Sequence, residues 1–182
     1  MKLTYIFHSG FVLETELSIL VFDYWMDPSG VMDGVLRSEK PMYVFSSHFH
    51  EDHFTKEIFE WKKQKLNITY ILSKDIYKHR RASKEDADVW LAKGGTWSDD
   101  TISVWALGST DSGVSWIVET EDKAAIKREQ SHAMHELCRA LAGSMGNIKK
   151  GKTSKKKESR SGMGRDCFFY LQLNSSTLRS SR

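Results

Sequence analysis

Three histidines and an acidic pair fall within six residues at His48-Phe49-His50-Glu51-Asp52-His53, in the pattern HxHxDH. Imidazole nitrogen and carboxylate oxygen are the donors that zinc and similar borderline transition metals take. In an extended segment, side chains two residues apart project the same way, so His48 and His50 can hold one ion together. Asp52 and His53 follow after a bend and can hold a second ion nearby. The chemistry such a site supports is activation of water next to a polarised substrate. Three of the seven histidines of the chain lie in this stretch, which sets it apart from an ordinary polar loop.

The residues around this stretch must position it. Met42-Tyr43-Val44-Phe45 is an apolar run closed by Ser46-Ser47, the pattern of a strand delivering a loop. Upstream, Leu3 to Phe7, Phe11 to Glu14 and Leu17 to Tyr24 predict a β-meander joined by short links, with Asp23 near the end of its third strand. The turn signals Asp27-Pro28-Ser29-Gly30 and Asp33-Gly34 predict a loop with a short helix around Val31 to Arg37. Beyond the histidines, Thr55 is a helix N-cap, and Phe54, Ile58, Phe59 and Trp61 share a face up to about Lys65. A strand over Ile68 to Leu72, a short helix over Ile76 to Arg80 and an apolar run at Val89-Trp90-Leu91 follow. Thr101 to Leu107 and Val114 to Glu119 predict a strand pair linked by Gly108-Ser109-Thr110-Asp111-Ser112-Gly113.

Ser47-His48-Phe49-His50-Glu51-Asp52-His53 resembles the signature of the metallo-β-lactamase-fold hydrolases. The preceding meander with Asp23 is similar to the opening of that family, and His8-Ser9-Gly10 is similar to the first turn of some members. The resemblance covers roughly residues 1–122. It implies an α/β fold, a four-layer αββα sandwich with metal at one edge between two sheets. It also implies zinc, one or two ions, and hydrolysis of a small-molecule substrate by a metal-bound hydroxide. By motif position His48 and His50 serve the first metal, and Asp52 and His53 the second. Asp52 is in addition the catalytic group that orients the nucleophilic water or takes its proton. Asp23 is expected to hold the loop by hydrogen bonds rather than to bind metal. His8 fits either the mouth of the site or an exposed strand end. The substrates of the family span lactams, thioesters, phosphodiesters and lactones.

The chain departs from this pattern in its later part. Where the family supplies a further histidine to the first metal, Gly108 to Gly113 offers only Asp111 as a strong ligand type, in what otherwise reads as a polar turn. After Glu121-Asp122-Lys123 no Gly-Asp turn follows a strand. His132 and His135 share a helical face, but in a surface-helix context.

Charge marks the same boundary. Residues 1–123 carry 14 Lys and Arg against 20 Asp and Glu, whereas residues 124–182 carry 13 against 4. All six Trp and both Pro lie in the first part. The expected organisation is therefore a metallo-β-lactamase-like part, 1–123, and a second part, 124–182, made of a basic helix over Ala124 to Ala142 and a low-complexity tail. A composition jump of this kind is what a frameshift produces, so 124–182 is not expected to be the original continuation of the fold. The sandwich is accordingly expected to be incomplete, with its first sheet formed and much of the second missing. The alternative function is that of a degenerate, non-catalytic member whose basic tail binds nucleic acid or another acidic partner. Gly146 to Thr153 satisfies the literal phosphate-loop pattern GxxxxGK[ST] but lacks the strand and helix that the motif needs. Apolar runs such as Ile19 to Phe22 are too short for a membrane span, and the first residues lack a signal-peptide core. The expected location is cytoplasmic, and Cys138 and Cys167 make no disulfide framework.

Overall fold

A computed structural model describes residues 1–109 and 112–120 in full, together with the backbone of 124–129 and 168–173. The chain opens with three antiparallel strands, β1 (Lys2–Phe7), β2 (Gly10–Glu14) and β3 (Ile19–Phe22). β4 (Met42–Ser46), β5 (Ile68–Ser73) and β6 (Val89–Leu91) then add in parallel, giving a six-stranded sheet in chain order. Parallel neighbours need crossovers, and these carry the helices: α1 (Val31–Leu36), a 3-10 helix at Lys56–Lys63 and α2 (Lys74–Lys78). A second, antiparallel sheet follows with β7 (Thr96–Ser98), β8 (Ile102–Gly108), β9 (Val114–Thr120), β10 (Ala124–Glu129) and β11 (Phe168–Leu173), in that order across the sheet.

Alternation along the strands separates two cores. Val12, Val21, Met42, Val44, Tyr70 and Leu72 face α1 and the 3-10 helix, where Met32, Val35, Ile58 and Trp61 are buried. Their neighbours Phe11, Leu13, Leu20, Phe22, Tyr43 and Phe45 face Ile102, Val104, Val114, Trp116 and Val118 of the second sheet. A sheet covered on both faces has no polar face to show, which is why β2 to β5 read as nearly unbroken apolar runs. Phe11 stacks on Phe22 and Phe22 on Phe45, with centroids 4.7 and 4.6 Å apart, and Trp116 meets Phe45 edge-on from the opposite sheet at 5.6 Å. Each of these fully buried side chains contributes about 1.5–3 kcal/mol relative to exposure.

The architecture is thus mixed α/β, with one helical layer and two sheets among the described residues, consistent with a partial metallo-β-lactamase-like sandwich. The second sheet, expected to be largely missing, has five strands among the described residues. Ala124–Glu129, expected to begin a helix, forms β10 because its backbone continues the sheet from β9 at Ala125↔Glu119 and Ile126↔Val118. β11, in the stretch expected to be a low-complexity tail, pairs with β10 over six residues. Lys56–Lys63 winds as a 3-10 helix, whose three-residue turn places the buried Ile58 and Trp61 on one line. Thr55 is its N-cap, accepting a hydrogen bond from the Glu57 amide. Among the described residues no helix is long and apolar enough to cross a membrane. Asp111, His132, His135, the Gly146 to Thr153 pattern and most of the basic tail lie outside the described residues.

Candidate metal centre

β3, β4 and β5 run parallel, so their carboxyl ends meet along one edge of the first sheet, the place where such sheets present their chemistry. β3 ends in Asp23, β4 in the histidine loop, and β5 in Ser73 and Asp75. Asp23 takes a left-handed turn, φ 43°, which an aspartate tolerates, and its amide donates to Phe45 O at 2.8 Å. This turns its carboxylate, fully buried, beneath the loop. The loop closes on itself, with the amides of His53 and Phe54 both donating to His50 O at 3.0 Å. Phe54 anchors its far end in the helix-side core.

Asp23 organises two histidines at once. Its Oδ1 accepts from the Ser47 amide at 2.7 Å and its Oδ2 from Ser47 Oγ at 2.8 Å. Ser47 Oγ, having given its proton to Asp23, can only accept from His48 Nδ1, 3.0 Å away. Asp23 Oδ2 also lies 2.6 Å from His53 Nδ1. A carboxylate accepts, so both rings carry their proton on Nδ1 when neutral, and both leave Nε2 with its lone pair. This is the arrangement that an outer carboxylate imposes on metal-ligating histidines. The expected role of Asp23 as the residue that holds the loop is what these hydrogen bonds show.

The four loop side chains singled out by spacing are brought together. The rings of His48 and His50 are 4.8 Å apart and those of His48 and His53 4.0 Å apart. His48 and His53 are buried, His50 is exposed, and Asp52 Oδ2 stands 3.3 Å from His53 Nε2. Two ligands of one tetrahedral zinc, each at about 2.0–2.2 Å, are separated by about 3.4 Å, so this pair matches the spacing of neighbours on a single ion. Among the described residues no three His, Cys, Asp or Glu donors form a ready-made metal group. The imidazole and carboxylate donors of His48, His50, Asp52 and His53 are nevertheless of the types that a divalent ion takes.

His8 lies at the rim, half exposed and edge-on to Trp25 at 5.7 Å, with Nδ1 3.5 Å from Asp52 Oδ2. Ser9, which sequence reasoning passed over, bridges His8 Nδ1 at 3.1 Å and His53 Nε2 at 3.3 Å. Ser47 closes the β4 run and opens the histidine signature in sequence, but its hydrogen bonds to Asp23, 24 residues away, appear only in the fold. The loop between β8 and β9 docks here from the second sheet: the Val114 amide donates to Ser47 O at 2.9 Å, and Ser112 Oγ donates to Asp75 Oδ2 at 2.9 Å.

No family model matches the chain, and no curated protein matches it in sequence. Three of the matches in fold, each at probability 1.00 and over about two thirds of the chain, are to metallo-hydrolase structures. Igni18, a novel metallo hydrolase from the hyperthermophilic archaeon Ignicoccus hospitalis, is 18% identical at a TM-score of 0.49, covering 68% of this chain and 57% of that one. A Cronobacter sakazakii metallo-β-lactamase with a HARLDQ motif is 19% identical at 0.47, covering 65% and 54%. A possible metal-dependent hydrolase from Veillonella parvula is 14% identical at 0.48, covering 68% and 60%. The chain therefore spans less than two thirds of the length of each of these structures.

Proposed function

We propose that this chain carries the metal-binding half of a metal-dependent hydrolase, with zinc as the ion. The observation that supports it is the tautomer control by Asp23, which turns the ligating nitrogen of two neighbouring histidines away from their hydrogen-bonded side. His48 and His50 would hold one ion, and Asp52 and His53 a second, weaker one that dialysis removes. Asp111 would add a donor from the β8–β9 loop. A zinc ion bound there supplies an acidified water as nucleophile and polarises the scissile carbonyl or phosphoryl group. The protein's own part is to keep His48 and His53 in the ligating tautomer, to offer Asp52 as the base that orients the attacking water, and to hold the loop rigid through Ser47. The substrate is a small molecule that enters over the exposed His50 and the half-buried Asp52.

Metal analysis of the purified chain tests this reading. We expect close to one equivalent of zinc after dialysis, falling below about a tenth in His48→Ala, since structural and catalytic sites of this kind lose their ion when a ligand is removed. Zinc content below half an equivalent and indifferent to His48→Ala would refute it.

A second reading rests on the charge excess of residues 124–182, 13 basic against 4 acidic. It makes the chain a non-catalytic binder of nucleic acid through that tail. Binding to single-stranded RNA or duplex DNA that weakens steeply with salt and vanishes on deleting residues 143–182 would favour it.

A further inference from the structure

Beside the histidine loop lies an open groove of about 460 Å³, lined by Trp25, Glu51, Phe54, Lys56, Arg80 and Arg81. That volume is in the range of small-molecule sites. Three cations face one carboxylate there. Arg81 Nη2, partly exposed, pairs with the exposed Glu51 Oε1 at 3.4 Å, while Lys56 and Arg80 pair with no carboxylate among the described residues. Trp25 supplies an aromatic wall and connects the groove to the candidate metal centre, since it packs on His8, which in turn reaches Asp52.

The backbone at Arg80 is unusual for what it carries. The chain leaves α2 through a Schellman closure, with the Arg80 amide on Tyr77 O and the Arg81 amide on Ile76 O, both at 2.9 Å. The residue at the turn takes φ 58°, a left-handed conformation ordinarily left to glycine. Arginine occupies it instead, with its side chain over the groove. The closure also engages the carbonyls of Ile76 and Tyr77, so they do not oppose an anion there.

We propose that this groove receives the anionic group of the substrate, a phosphoryl or carboxylate group on an aromatic or apolar body. Arg80, Arg81 and Lys56 take the anion and Trp25 lies along the body. Guanidinium groups suit this task because their planar donors match the oxygens of either anion. The assignment of the anion to a substrate rests on the proposed hydrolase reading; the anion site itself does not.

The test uses the full-length protein, stripped of metal by chelation, and follows the indole N–H resonance of Trp25, assigned with Trp25→Phe. Phenyl phosphate, benzoate and phenol are titrated in turn. Saturable shifts with phenyl phosphate or benzoate and none with phenol are expected; the tighter of the two identifies the anion class. Arg80→Gly and Lys56→Gln should each weaken binding at least fivefold, and Arg80→Gly should melt no lower than the parent, because glycine suits that turn. His48→Ala should bind equally well. Equal binding of phenol, unchanged affinity in both groove variants, or loss of binding in His48→Ala would overturn the proposal. Failure of the zinc measurement with these titrations intact would sink the hydrolase reading and leave the anion site standing.

Discussion

Replacing Asp23 by asparagine keeps the size of the side chain but trades one acceptor oxygen for a donor. The amide must then turn its NH2 either toward the Ser47 amide, which donates to Oδ1, or toward the Ser47 hydroxyl and His53 Nδ1, which share Oδ2, and each choice sets it against a group that donates in the parent. Because Asp23 is fully buried, we expect a loss of about 1–3 kcal/mol in stability. The sharper consequence is for metal. His53 loses the partner that fixes its proton on Nδ1, and zinc affinity should fall by about 10- to 100-fold, as for other outer-shell partners. Competition against a chromogenic chelator measures this, and an affinity within twofold of the parent would show that Asp23 does not set the tautomer. At this scale the sequence was legible where residue type alone decides: three imidazoles and a carboxylate at a strand end announce donors. It was not legible for Ser47 or Ser9, whose hydroxyls matter only through groups 24 and 44 positions away. Arg80 reads in sequence as the end of a short helix, and only the turn through it brings Arg80 and Arg81 to the groove.

The loop Gly108 to Gly113 shows how one element holds another. Gly113 has φ 68°, and a Cβ there would overlap Ser47 O and lie 2.7 Å from His48 Cβ and 3.0 Å from Ser73 Oγ. Glycine is therefore required twice, by the backbone conformation and by the close approach of the β8–β9 loop to the histidine loop. Gly113→Ala must displace one loop from the other and strain the bond from the Val114 amide to Ser47 O. We expect a cost of about 3 kcal/mol, the sum of left-handed strain and overpacking. Gly94→Ala is the control. Gly94 has φ 82° but nothing within 4 Å of its added Cβ, so only the conformational cost of about 1 kcal/mol remains. Urea denaturation of the two variants separates the terms, and equal losses would mean that the loop contact is unimportant. The sequence marks this segment as a turn, yet a turn signal does not say what the turn rests on. The same limit explains β10 and β11. Local composition over 124–129 favours a helix, and the strand exists because an open edge at β9 and a partner at 168–173 satisfy its backbone.

At the scale of the whole molecule, apolar runs reveal that strands are buried on both faces, but not which layer each face meets. Tyr43 illustrates what decides it. Its ring lies in the core between the two sheets, beside Trp97 at 6.3 Å, while its hydroxyl reaches out to donate to Asp99 Oδ2 at 2.7 Å. Asp99 also turns the β7–β8 hairpin, its Oδ1 accepting from the amides of Thr101 and Ile102 at 2.8 and 2.9 Å. One hydrogen bond thus ties β4 of the first sheet to the hairpin that begins the second. Burial pushes the Tyr43 phenol up to about 12, with the carboxylates of Asp99 and Asp100 adding to the rise. The unfolded chain ionises this group near its ordinary value of 10.0. Its contribution to stability is therefore complete below pH 10 and is lost as pH rises toward 12, because the unfolded state releases the proton first. A rise of this size corresponds to a loss on the order of 2 kcal/mol across that window. Tyr43→Phe removes both the hydrogen bond and the ionisation. At pH 8 it should be less stable than the parent by about 1 kcal/mol, since Asp99 Oδ2 loses its donor. Between pH 10 and 12 the parent should lose stability faster than the variant, so the gap between them closes and then reverses. Urea midpoints at pH 8, 10 and 11.5 measure that difference, with the other raised tyrosines, Tyr24 and Tyr70, common to both proteins. A gap that stays constant with pH would show that Tyr43 does not clamp the two sheets through its phenol.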